Sequence, residues 1–205
     1  MNTNYDNLFL EAKRQAEQQR TKLLLHVCCA PCSTYCLTQV LDVFDVTLYY
    51  ANDNITNPDE WQKRLGEVEK LVKTVNDGKF EIASKYPLKL VVQNLDAARF
   101  FDTAVGLEQE KEGGARCEKC FNLRLNDTKL YAEQHNFDII GTTLTVSPYK
   151  ISQLLNKIGM SLQTETLLWL PSDFKKRDGY RESIRLSQKY NLYRQHYCGC
   201  DFSKQ

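Results

Sequence analysis

The stretch KLLLHVCCAPCSTYCL, Lys22 to Leu37, decides the fold. Lys22–Val27 reads as a short buried strand, and Pro31 falls where the first turn of a helix running to about Leu41 tolerates a missing N–H. A strand passing directly into a helix is one step of the alternation that builds a parallel α/β sheet. Outward from it, DVTLYY (Asp45–Tyr50) is the second strand. Asn57 then offers an N-cap and Pro58 a first helical position, before Trp61, Leu65, Val68, Val72 and Val75 repeat at helical spacing up to Gly78. Lys89–Gln93, Phe137–Thr142 and Thr166–Leu170 read as three further strands with helical patterns between them, and Asp6–Gln19 as an opening helix. The 205 residues contain no repeat, low-complexity tract or Pro/Gly-rich linker, so one α/β domain with a mainly parallel sheet flanked by helices is predicted.

In open α/β sheets ligands bind beyond the carboxyl ends of the strands, and the unusual residues fall there. Cys28, Cys29 and Cys32 follow the first strand, Asn52, Asp53 and Asn54 the second, Thr142 and Thr143 the fourth, and Asp173 the fifth. Eight cysteines make up about 4% of the chain, below the roughly 8–10% of a disulfide scaffold. The opening residues show no basic-then-apolar signal and no apolar run spans a bilayer, so a cytoplasmic protein without a membrane partner is expected. In a reducing compartment, clustered thiols point to metal ligation or redox chemistry.

A strand-to-helix turn favours thiolates at Cys28 and Cys29 through the helix dipole and free N–H groups. Cys117 and Cys120, three apart, share one face of a second helix. Four such thiolates suit a tetrahedral zinc or an iron–sulfur cluster, and spacing alone does not choose. Cys198-Gly199-Cys200 could close only a small strained ring, as labile or catalytic disulfides do, and reads as a redox-active dithiol; inert thiols or a metal grip are the alternatives. Asp53 and Asp173 could bind a hard metal or move protons, against the commoner roles of turn formation and capping. His26, inside an apolar run, reads as a satisfied core histidine. The net charge of +1 excludes a polycation, yet Lys175–Arg194 carries Lys175, Lys176, Arg177, Arg181, Arg185, Lys189 and Arg194 against Asp178 and Glu182, a local +5 interleaved with tyrosines. Such a segment can neutralise phosphates and stack bases; a solvated helix face is the alternative.

Four segments carry a more specific signal: LLLHVCCAPCSTY (Leu23–Tyr35), ARCEKCFNLRL (Ala115–Leu125), GTTLTVSPYKI (Gly141–Ile151) and DFKKRDGYRESIRLSQKYNLYRQHYCGCDFS (Asp173–Ser203). Together they resemble the QueH family of epoxyqueuosine reductases over nearly the whole chain. The resemblance implies reductive removal of the epoxide oxygen of epoxyqueuosine in tRNA, giving queuosine at the wobble position of the tRNAs for Asp, Asn, His and Tyr, without cobalamin. It implies a [4Fe–4S] cluster on Cys28, Cys29, Cys117 and Cys120 and a redox-active pair at Cys198 and Cys200. A mononuclear iron beside the cluster is also implied, with Asp173 as the leading carboxylate ligand, and reducing equivalents come from an unidentified electron donor. Lys175, Lys176, Arg177, Arg181 and Arg185 are the expected tRNA contacts. The implied fold is that of the tRNA-modifying ATP pyrophosphatases, but thiols replace their Ser-Gly-Gly phosphate loop after the first strand, so ATP use is not expected. The family's YNPNI pattern after the second strand is here YANDNI, Tyr50–Ile55. Residues 1–21 form a helical extension before a catalytic domain of residues 22–205, and Cys32 and Cys36 carry no assignment. A zinc-stabilised RNA-binding module and a dithiol–disulfide oxidoreductase are the competing readings.

Overall fold

In a computed structural model, which describes residues 3–204, the chain runs α1 (Tyr5–Ala16), β1 (Lys22–His26), α2 (Ala30–Val40), β2 (Asp45–Tyr50), α3 (Pro58–Asn76), β3 (Lys89–Val92) and α4 (Ala97–Ala104). It continues through α5 (Ala115–Gln134), β4 (Ile139–Thr142), a 3-10 turn at Thr143–Val146, α6 (Ser152–Ser161), β5 (Leu168–Trp169), α7 (Gly179–Lys189) and a last 3-10 turn at Asp201–Ser203. The five strands are those expected from the sequence, all parallel, in the order β3-β2-β1-β4-β5. The outermost, β5, is two residues long against the five expected, because it pairs only with Ile139 and Ile140 and leaves Leu168 half exposed. The long periodic helix is capped as predicted: Asn57 accepts the Glu60 N–H at 2.9 Å and Pro58 occupies the first position.

Leu23, Leu25, Val46 and Leu48 point to one face of the sheet, into a core with α2, α3 and α7; Leu24, Tyr49 and Ile140 point to the other, against α5 and α6. The strand order reverses direction at β1, whose neighbours are β2 and β4, so the chain leaves β1 and β4 on opposite sides of a crevice. At such a switch point two loops diverge and backbone groups stay free for a ligand. His26 closes the floor of that crevice as a fully buried core histidine between Thr142 Oγ1 (3.0 Å) and the Ala51 carbonyl (3.3 Å). Burial, then Arg124, lowers its pKa to about 3, so it stays neutral.

Helix α1 packs on the main core. Phe9 is fully buried and meets Phe174 edge-on at 5.2 Å, while Asp6 pairs with Arg177 at 2.9 Å. Burying one phenylalanine contributes about 1.5–3 kcal/mol, enough to hold the helix down. The helix stops at Ala16 rather than Gln19, because the polar residues after it have no core to face.

Candidate metal centre

The turn after β1 brings three thiols together. The sulfurs of Cys28, Cys29 and Cys32 all lie within 4.8 Å of one another, Cys28 and Cys29 at 3.7 Å. Cys29 is the N-cap of α2, with Pro31 in the first turn. Cys32 therefore joins the pair through the first helical turn, a grouping its sequence position did not reveal. Hydrogen bonds from Cys29 and then Cys32 draw the Cys28 thiol well below its usual range. The hydrogen bond with Cys28 pushes Cys29 up to about 12, and Cys32 rises through its hydrogen bonds with Cys28 and Cys29. Of the three neighbouring thiols, Cys28 is the one whose surroundings favour the thiolate. Cys36 is buried against the Cys32 and Thr143 carbonyls, outside the group.

The other thiols line an adjoining chamber. Cys117 and Cys120 stand on the first turns of α5, and Cys117 accepts the Gly113 N–H at 3.2 Å. Burial raises both, Cys120 to about 12. Cys198 and Cys200 lie in the same chamber wall with Phe100, Phe121 and Lys150. All eight cysteines are free thiols, Cys198 and Cys200 among them. Gly199 adopts a φ of +123°, and an added Cβ would sit 2.9 Å from Ile55 Cγ1, so the turn requires glycine. Arg64 of α3, fully buried and paired with Glu60 at 2.7 Å, donates to the Cys198 carbonyl (3.0 Å) and the Tyr197 carbonyl (3.2 Å). Tyr197 and Cys198 are thereby clamped against the crevice.

Beside the chamber opens a cleft of about 640 Å³, sharing Cys198, Lys150, Tyr149 and Glu112 with it and reaching Cys28 and Cys32 on its far side. Three cations on it have no carboxylate partner among the described ion pairs: Arg124, Lys150 and Arg194. Arg124 is fully buried; it donates to Asn52 Oδ1 at 2.6 Å, but its Nε has no partner. Burial opposes its charge, yet Cys120, Cys28 and Cys198 outweigh that and hold its pKa above the ordinary value. Burial likewise opposes the charge of Lys150, and Cys198, Cys28 and Cys32 keep it protonated. A buried, half-satisfied guanidinium among thiols is costly unless an anion completes it. An anionic thiolate-bound metal cluster meets that requirement, so the residues fit such a group.

The remaining expected site residues lie elsewhere. Asp173 lies 3.2 Å from Lys175 Nζ, its Oδ1 buried without a hydrogen-bond partner, and lines neither the chamber nor the cleft. Asp53 is buried, accepting the Asp96 N–H (3.0 Å) and Arg99 (2.8 Å), which also grips Asp127; it ties β2 to α4 and α5. Its neighbours face the site instead: Asn52 orients Arg124, and Asn54, its Oδ1 buried without a partner, lines the chamber. The basic segment is largely neutralised, Arg177 by Asp6, Arg181 by Asp178, and Arg185 by Glu81 and Glu182; Lys176 is exposed. Arg124, Tyr149 and Lys150 had a signal in sequence, since they stand inside the ARCEKCFNLRL and GTTLTVSPYKI segments, but no periodicity marks them as facing a site.

Comparison with known proteins identifies the family. The family described as "Epoxyqueuosine reductase QueH" matches residues 23–205. The epoxyqueuosine reductase QueH of Streptococcus pyogenes is 40% identical across 98% of this chain and 78% of its own length. That of Staphylococcus epidermidis is 40% identical across 98% and 84%, and that of Thermotoga maritima 32% identical across 88% and 89%. With the thiol groups and the Cys198-Gly199-Cys200 turn inside the matched residues, the chain belongs to the QueH family of epoxyqueuosine reductases, oxidoreductases of queuosine biosynthesis.

Proposed function

We propose that this protein reduces the epoxide of epoxyqueuosine in tRNA to the alkene of queuosine, with a [4Fe–4S] cluster held by Cys28, Cys29, Cys117 and Cys120. The observation that carries the reading is the buried Arg124 guanidinium, unpartnered at Nε amid Cys28, Cys120 and Cys198. The reaction removes one oxygen as water and consumes two electrons and two protons. A bound cluster supplies electrons one at a time, and an adjacent iron supplies Lewis acidity toward oxygen. For that iron the cleft offers Cys32, Cys198 and Glu112, the carboxylate shared by chamber and cleft, while Asp173, its Oδ1 buried without a hydrogen-bond partner, is the carboxylate expected from the sequence.

The chain's own residues handle binding and protons. A cleft of about 640 Å³ is within the range for a nucleoside-sized ligand. Tyr149, 73% exposed at its rim, and Tyr180 in its wall provide faces on which a splayed base stacks. Arg194 lies over the Tyr180 ring at 5.3 Å with its Nη1 unpartnered, and takes a backbone phosphate of the anticodon arm. This reading puts the principal tRNA contacts on the cleft cations rather than on Lys175, Lys176, Arg177, Arg181 and Arg185. Lys150, held protonated between thiols and cleft, gives its proton to the departing oxygen. Cys198 and Cys200 form a redox pair at the junction of chamber and cleft.

Anaerobic purification tests the reading. Brown protein whose visible absorbance bleaches on reduction, lost in Cys117→Ser, is the expected result. Colourless protein with stoichiometric zinc would overturn it in favour of a structural metal. Activity that survives Cys117→Ser but not Cys198→Ser would instead assign a dithiol–disulfide oxidoreductase.

A further inference from the structure

Gln195 belongs to the segment between α7 and the terminal Cys-Gly-Cys, 166 residues from the first thiol turn. Its amide Nε2 donates to Cys29 Sγ at 2.8 Å, and its Oε1 is buried without a partner. The amide is not there by chance of an unconstrained loop. On one side the Tyr193 N–H donates to Glu67 (3.0 Å) and the Tyr193 hydroxyl to Glu60. On the other side Arg64 holds the carbonyls of Tyr197 and Cys198. Between these anchors Arg194 rests on Tyr180, so the backbone around Gln195 is fixed and its side chain is aimed at one sulfur.

We propose that Gln195 is a positioning residue that sets the reduction potential of the metal group through Cys29, an inference resting on the reading that Cys29 is a cluster ligand. A ligand sulfur carries more negative charge in the reduced state than in the oxidised one. An N–H directed at that sulfur therefore stabilises the reduced state and raises the potential. Glutamine suits the role because its donor is uncharged and does not titrate, so the setting is independent of pH. It also has the reach that asparagine lacks. Glutamate, of equal size, presents acceptors to a thiolate where the amide presents a donor.

The test is a redox titration of reconstituted wild-type protein, Gln195→Met and Gln195→Glu, followed by visible absorbance and EPR with iron counted in each. Gln195→Met is expected to bind iron as wild type does and to shift its reduced-to-oxidised equilibrium about tenfold toward the oxidised form. For a one-electron couple that is a midpoint lower by about 59 mV. Gln195→Glu is expected to fall at least as far. A wild-type midpoint in an iron-replete Gln195→Met protein would overturn the proposal and leave the ligand assignment intact. Wild-type protein that binds no cluster would instead overturn the assignment on which it rests. Should either variant load iron poorly, wild-type protein labelled with 15N in glutamine side chains decides the matter. Pulsed EPR of its reduced cluster is expected to show a coupled side-chain nitrogen, and absence of that coupling would refute the contact.

Discussion

Along α7 and the loop before it, cations meet carboxylates: Arg177 reaches Asp6, Arg185 reaches Glu81 and Glu182, and Lys189 reaches Glu81. In the cleft wall Arg124, Lys150 and Arg194 meet none among the described ion pairs, although all three are more enclosed. Exposed pairs contribute little to stability and present little net field. Enclosed cations without partners are expensive to keep, and a fold retains them where a negatively charged ligand is to arrive. The comparison teaches that a local charge sum does not locate an anion site, whereas the inventory of partners does.

The comparison breaks most visibly at Arg124. Arg124→Met is expected to abolish stoichiometric iron binding and with it detectable turnover, read by iron analysis beside a product assay; full iron content in this variant would remove Arg124 from the site. Lys150→Met is expected to lower kcat by about 100- to 10,000-fold, the range for a lost general acid, with iron retained. Its pH profile sharpens the assignment. Because Lys150 is held above the ordinary lysine value of 10.5, its proton is present at all lower pH and is lost only on going above it. No alkaline fall in rate from this group is expected below about pH 10. A fall centred near pH 8 that disappears in Lys150→Arg would contradict the order of charges proposed here.

Smaller effects separate the two regions directly. Arg194→Ala is expected to raise KM for tRNA about tenfold and to reduce the slope of log affinity against log salt by about one, the signature of one lost phosphate contact. The double change Arg185→Ala with Lys189→Ala removes more charge from α7, yet is expected to leave both affinity and salt slope unchanged. Equal losses in the two variants, measured by filter binding across a salt series, would restore α7 as a tRNA face.

Much of the fold was legible because its signals are local. The apolar run Leu23–Val27, the Asn57–Pro58 cap and the periodic α3 each depend on neighbours in sequence. The strand-end rule then placed the thiols correctly at the crevice beyond β1. What escaped depends on residues far apart. Glu81 pairs with Arg185 across 104 positions and Asp6 with Arg177 across 171, so part of the +5 of the basic segment is offset by carboxylates that lie outside it. Asp173 reads as a strand-end carboxylate, and its Oδ1 is buried beside Lys175, two residues on, without a hydrogen-bond partner. Cys32 looked unassigned because a single helical turn, not sequence adjacency, carries its sulfur to Cys28 and Cys29. The short β5 reflects its position at the sheet edge, which no run of apolar residues encodes.

One measurement addresses the whole account: a single-turnover reaction under strict anaerobiosis, with chemically reduced, iron-replete protein in excess over tRNA bearing epoxyqueuosine, followed by nucleoside analysis. Conversion to queuosine in proportion to cluster content, absent from the Cys117→Ser protein, is the predicted result. Unchanged epoxyqueuosine from fully loaded, reduced protein would contradict it.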